Sequence, residues 1–194
     1  MTQDGDRAPI KAPNNAPNPI SDNRFFQFEA SFVESLRCIP MQVRLKLDTC
    51  GVKLKLEHWH RLSGAERASL TQLPCAAASG TYGAYVQDLV TKIQGTPAST
   101  LAIDPHPPWH NLAAVPDEVQ AQAAAVGVTI GLDQWRSLAP LERFALIKLS
   151  RPGHENRNFY PALVEFGLAE FGRAESGLAQ SPDRADISPE NRPA

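Results

Sequence analysis

PMQVRLKLDTCGVKLKL, residues 40–56, decides the fold because it reads two ways. Val43, Leu45 and Leu47 alternate with other residues, then Val52, Leu54 and Leu56 alternate after Gly51, which is the pattern of a β-hairpin. A second stretch of the chain resolves the ambiguity. Residues 39–73 (IPMQVRLKLDTCGVKLKLEHWHRLSGAERASLTQL) align without a gap to residues 115–149 (VPDEVQAQAAAVGVTIGLDQWRSLAPLERFALIKL) at a constant offset of 76. Pro40 meets Pro116, Val43 meets Val119, Gly51 meets Gly127, Trp59 meets Trp135, Leu62 meets Leu138, Glu66-Arg67 meets Glu142-Arg143 and Leu70 meets Leu146. Such a run of coincidences marks a tandem duplication.

The second copy of the ambiguous stretch is PDEVQAQAAAVG, alanine-rich, with Pro116 at a helix start and Gly127 at its stop. Residues 40–50 are therefore predicted helical, and short extended connectors are predicted at 52–55 and 128–131. A helix follows around each tryptophan. The next one is opened by Ser63-x-x-Glu66 in the first copy, a capping-box pattern, and by Pro140 in the second. Further helices are predicted at 25–37, 80–94 and 158–168. In the first of these, Phe25, Phe28, Phe32 and Leu36 fall on one face. The fold class is all-α, built as two tandem pseudo-equivalent helical units with short extended connectors.

Composition agrees with a packed domain between tails: 42% hydrophobic and 21% charged residues are ordinary globular usage. Residues 1–23 carry Pro9, Pro13, Pro17 and Pro19 with little to bury, and 169–194 end in SPDRADISPENRPA, so both read as disordered tails around one domain at 24–168. Lys and Arg total 19 against 21 Asp and Glu, and the acidic excess falls in the C-terminal tail. The near-neutral domain argues against nucleic acid as a partner. No apolar window is long enough to span a membrane, and no basic-then-apolar leader is present. Cys38, Cys50 and Cys75 cannot all pair and lack C-x-x-C spacing, which fits a reduced cytoplasm.

The duplication sorts structural positions from functional ones. Trp59 and Trp135, shared by both copies, are expected in the core rather than in a stacking site. The paired Glu66 and Glu142 are explained by capping, and Cys50 by a small buried role. Where the copies part, 74–80 reads PCAAASG, small and inert, and 150–156 reads SRPGHEN. Pro152 ends a helix, Gly153 turns the chain and Asn156 or Asn158 can cap the next helix. Arg151, His154 and Glu155 exceed what a helix stop needs, so Arg151, His154, Glu155 and Asn156 form a candidate recognition surface. Arg37, Arg44, Lys46, Lys53 and Lys55 make a second, basic stretch, read as a solvated face with Arg44 and Asp48 paired on a helix, and Arg37 and Arg44 as candidates for an acidic partner.

Metal and cofactor signatures are missing from the pattern. His106 and His110 lie four apart, but Pro105, Pro107 and Pro108 forbid the helix that would join them. No H-E-x-x-H, paired-cysteine, P-loop, G-x-G-x-x-G or G-x-S-x-G pattern occurs, so no metal and no cofactor are predicted.

Three stretches together, FQFEASFVESLRCIPMQVRLKLDTCGVKL, the Ile103-Asp104-Pro105 to Trp109 connector, and LERFALIKLSRPGHENRNFYPALVEFGL, carry a family resemblance over roughly residues 25–168. They resemble the nitrate reductase-associated protein family. The resemblance implies a partner, nitrate reductase, and a non-enzymatic accessory or maturation factor that binds the apo-enzyme or assists delivery of its molybdenum cofactor. It supplies no catalytic residue. The competing class is a small-molecule binder or enzyme acting on a molybdopterin intermediate, with Arg151 and His154 on a phosphate. A DNA-binding helix-turn-helix is disfavoured by the neutral core.

Overall fold

The computed structural model describes residues 23–35, 37–76 and 80–170. The predicted tails fall almost wholly outside these residues. Among them the chain is helical, without a named strand, and it divides into two compact units: Ala30–Pro105 with the residues up to Phe25, and His106 onward with Phe26–Glu29. No helix among the described residues is long and apolar enough to cross a membrane.

The first unit holds α1 (Ala30–Glu34), α2 (Met41–Cys50), α3 (Leu56–Arg61), α4 (Gly64–Gln72) and α5 (Thr81–Gln94). The hairpin-like stretch is helix α2, in line with the helix predicted over 40–50. It starts after Pro40 and stops at Gly51, whose φ of 69° is left-handed. Its alternating pattern misleads because α2 is buried around most of its circumference: Met41, Gln42, Val43, Leu45, Lys46 and Leu47 are all buried, so no apolar stripe at helical spacing is required. Beyond Gly51 the backbone runs extended and makes one bridge, Val52 to Thr100, flanked by Lys53 N–H to Ser99 O (2.8 Å) and Leu101 N–H to Gly51 O (2.8 Å). Glycine is required at the turn for space as well as for φ, since a β-carbon there would stand 2.8 Å from Leu101 O.

Lys46 corrects the reading of the basic stretch as a solvated face. Its side chain is fully buried, and Nζ donates to Asn23 Oδ1 (3.1 Å), Thr71 O (2.7 Å) and Leu73 O (2.9 Å). Three ammonium protons meet three acceptors, which offsets the cost of removing the charge from water. Two of those acceptors are carbonyls at the C-terminal end of α4, where a cation is favoured. Lys53 and Lys55 are exposed as expected.

The second unit holds α6 (Asp117–Ala125), α7 (Leu132–Ser137), α8 (Pro140–Leu149) and α9 (Phe159–Glu165). Its centre is α8, with Leu141, Phe144, Ala145, Leu146, Ile147 and Leu149 all buried. Trp109 meets Phe144 edge-on at 5.1 Å.

Several contacts recur at positions 76 apart. Arg67 donates to Trp59 O (3.4 Å) and Leu62 O, and Arg143 to Trp135 O (3.4 Å) and Leu138 O. Ser63 N–H is bonded by the Glu66 carboxylate (2.8 Å), and Ala139 N–H by Glu142 (2.7 Å). Val52 N–H reaches Leu47 O (3.1 Å), and Val128 N–H reaches Ala123 O (2.9 Å). Trp59 and Trp135 are both buried, as expected for core residues. The extended pieces differ. In the second unit no ribbon partner is seen among the described residues, and the Gln120 side-chain amide bonds both Ile130 O (2.6 Å) and Ile130 N–H (3.3 Å).

The single helix predicted over 25–37 is replaced by a 3₁₀ turn, Gln27–Glu29, followed by the short α1. The physical reason is long-range. Glu165 accepts the Gln27 N–H (2.9 Å) and the Phe28 N–H (3.1 Å), and Glu29 accepts the Phe26 N–H (3.3 Å). The buried aromatic is Phe26, which lies 5.2 Å from Phe28 and 5.0 Å from Phe166, whereas Phe25 is exposed. Leu36 lies outside the described residues.

Candidate functional site

The segment after α8 is shaped first by the need to end that helix. Ser150 N–H reaches Leu146 O (2.9 Å), and its hydroxyl donates to Ile147 O (3.0 Å). Pro152 and Gly153 turn the chain into a 3₁₀ turn, His154–Asn158, which hands over to α9 at the buried Phe159. The expectation that Asn156 or Asn158 caps the following helix does not hold, because α9 has no side-chain cap. The Asn156 amide points back instead, its nitrogen donating to Leu149 O and to Arg151 O (3.2 Å). Leu149 O is a carbonyl that α8 leaves without an intrahelical partner, and Arg151 O belongs to the turn that follows, so Asn156 ties the end of α8 to the turn.

Arg151, Pro152, Gly153 and Arg157 are exposed. The Arg151 guanidinium makes no hydrogen bond or ion pair among the described residues. A guanidinium in that condition offers its planar fork to an incoming carboxylate or phosphate. The side chains of His154 and Glu155 lie outside the description, and only their backbone in the turn is placed.

Arg37 and Arg44 belong to the first unit, residues 151–156 to the second. Arg37 is exposed but occupied locally: Nε donates to Ser35 Oγ (3.0 Å) and the guanidinium sits 5.7 Å from the Phe32 ring centre. Arg44 is half-buried on α2. A cleft of about 370 Å³ in the second unit, lined by residues including Val126, Thr129, Tyr160 and Leu168, has no counterpart in the sequence reading. Nothing in its lining is a recognisable motif, since backbone turns at Gly127 and Gly167 form much of it.

The first-unit counterpart of the loop is not inert. Cys75 is fully buried and its thiol donates to Lys46 O (3.4 Å), while the half-buried Cys50 donates to Leu47 O (3.6 Å). His58 is buried, its Nε2 3.0 Å from Gln94 Oε1, and so serves packing between α3 and α5. Burial, with the Arg143 charge, holds His110 below the ordinary imidazole value. Among the described residues no group of three or more His, Cys, Asp or Glu side chains is arranged to hold a metal ion.

Comparison with known proteins gives one family match: the family described as conserved nitrate reductase-associated protein matches residues 25–166. No curated protein and no solved structure gives a significant match.

Proposed function

The chain belongs to the conserved nitrate reductase-associated protein family, and on that premise we propose that it is a non-enzymatic, cytoplasmic accessory factor for assimilatory nitrate reductase. It acts by binding the apo-enzyme or by assisting delivery of its molybdenum cofactor. The family match over residues 25–166 carries the reading. The loop supports it with an exposed Arg151 whose guanidinium makes no bond among the described residues, while the Asn156 amide reaches back to Leu149 O and Arg151 O. Arg37 and Arg44 are the second candidate patch. The recurring Arg67 and Arg143 contacts support reading the two units as copies of one helical unit, with this loop as the feature the second copy gained.

The test is affinity purification of the tagged full chain from a nitrate-grown host. A reductase subunit in near-stoichiometric yield supports the accessory reading. A bound pterin without reductase moves the assignment to a cofactor-handling protein, and recovery of neither overturns the proposal.

A further inference from the structure

Cys75 follows Cys50 by 25 positions, and the fold brings the two thiols together against one turn of α2. Their sulfur atoms bond consecutive carbonyls of that helix, Cys75 to Lys46 O (3.4 Å) and Cys50 to Leu47 O (3.6 Å), which seats them side by side on one turn. The two sites differ in the way that divides labour in thiol chemistry. Cys50 is half-buried at the end of the helix, and Cys75 is fully enclosed. We propose that Cys50 and Cys75 form a redox-modification site, in which Cys50 attacks a small peroxide and Cys75 resolves the product into an intramolecular disulfide. This goes beyond the accessory role and does not depend on it.

The charges around the pair favour that order. When Cys50 ionises, a hydrogen bond from Cys75 to the thiolate holds its pKa below the ordinary thiol value, assisted by the Val52 backbone N–H and opposed by burial and by Asp48. Cys75 is pushed up, first by the hydrogen bond with Cys50 and then by burial, with Lys46 pulling the other way. Tyr82, facing the same pocket, is pushed up chiefly by burial and stays a neutral phenol. Glycine at position 83 of α5 lets that helix pack close to Cys50, since a β-carbon there would stand 3.5 Å from Cys50 Cβ.

The chemistry balances with hydrogen peroxide. The Cys50 thiolate attacks one peroxide oxygen, the S–O bond forms, the O–O bond breaks, and the departing hydroxide takes a proton to become water. The Cys75 sulfur then attacks the Cys50 sulfur of the sulfenic acid; S–S forms, S–O breaks, and the leaving hydroxide takes up the Cys75 proton as a second water. Once Cys50 is oxidised it no longer suppresses ionisation of Cys75, so the first step prepares the second.

Cys38, also half-buried, is the control within the same chain. The folded full chain would be treated with hydrogen peroxide at neutral pH, alkylated, and mapped by peptide mass spectrometry over time. Cys50 should be lost at least about tenfold faster than Cys38, into a peptide linked to Cys75 and reversed by reductant. In Cys75→Ser, Cys50 should accumulate as a dimedone-trapped sulfenic acid without the linked peptide. Loss of Cys38 at the same rate as Cys50 or faster, or linkage of Cys50 only between chains, overturns the proposal. The wild-type rates decide the matter even if Cys75→Ser fails to fold.

Discussion

Replacing Arg143 by alanine should be far more costly than the same change at Arg67, although both arginines reach a tryptophan and a leucine carbonyl. Arg143 is 5% exposed, and it reaches Trp109 O at 2.7 Å through Nε, Trp135 O at 3.4 Å, and Leu138 O. Arg67 makes only the last two kinds of bond, to Trp59 O at 3.4 Å and to Leu62 O, and it is half-buried. A hydrogen bond to a charged group contributes about 1.5–3 kcal/mol, and a buried acceptor left alone loses its solvation as well. Arg67 is itself partly open to water, which can take its place at the vacated carbonyls, whereas Arg143 is almost wholly covered. The expected losses are therefore about 3–5 kcal/mol for Arg143→Ala and about 1–2 kcal/mol for Arg67→Ala. Arg143→Lys, which keeps the charge but not the fork, should recover less than half of the loss. Urea unfolding followed by tryptophan fluorescence reports on the region directly, because Trp109 and Trp135 are both bonded or packed beside Arg143. If Arg143→Ala and Arg67→Ala agree within about 0.5 kcal/mol, the carbonyl-clamp reasoning is wrong.

Other expectations concern turns, core, pH and the loop. Gly127→Ala should cost about 1–2 kcal/mol, the left-handed penalty at φ 73° with open space around it, whereas Gly51→Ala should cost clearly more because its β-carbon would strike Leu101 O at 2.8 Å; equal melting shifts would contradict this. Trp135→Ala should destabilise by about 3–5 kcal/mol in thermal unfolding, since it empties a buried site and strips Asn111 O of its indole donor at 2.9 Å. Bonds from the Ser63 backbone and then its hydroxyl hold the Glu66 carboxyl below the usual range, so its contribution is present above the ordinary carboxylate pKa and fades as pH falls through the lowered one. The stability gap between wild type and Glu66→Gln should accordingly narrow on acidification from about pH 6 to about pH 3, and a gap that widens would reverse the sign of the argument. Arg151→Ala with His154→Ala should change stability by no more than about 0.5 kcal/mol while reductase activity in the host falls; full activity in a stable double variant removes the loop from the recognition surface.

What could be read in the sequence was whatever local chemistry controls. Proline and glycine marked both ends of α2 and the start and stop of α6, and the Ser63-x-x-Glu66 pattern produced the capping box at its expected bonds. Helical character at 40–50 became legible only through the second copy, because a buried helix has no stripe to display. Long-range contacts were silent. Lys46 looks like its basic neighbours until Thr71 and Leu73 are brought to it, and the break before Ala30 depends on Glu165, far along the chain. The cysteine pair escaped because no local spacing announces two thiols meeting across a loop. Arg143 was hidden differently: its partner Glu142 had a sufficient local explanation, and the arginine was absorbed into it. In the candidate loop, the helix stop was legible and the direction of Asn156 was not, since an amide can bond forward or backward with equal ease. An exposed guanidinium such as Arg151 takes its role from a partner's surface, which the chain's own pattern does not encode.

The ammonium of Lys46 also ties down the chain at residue 23. Asn23 gives it an acceptor through Oδ1 (3.1 Å), and through its backbone oxygen takes the Gln42 amide proton (3.0 Å). Trimming the chain through residue 22 keeps every one of these bonds. Trimming one residue further leaves a buried cation one acceptor short and a second buried amide unsatisfied, beside a Gln42 Oε1 that already lacks a partner. Protease resistance should therefore fall sharply between those two cuts. The family match starts only at residue 25, so the anchor lies just ahead of the part of the chain by which the family is recognised.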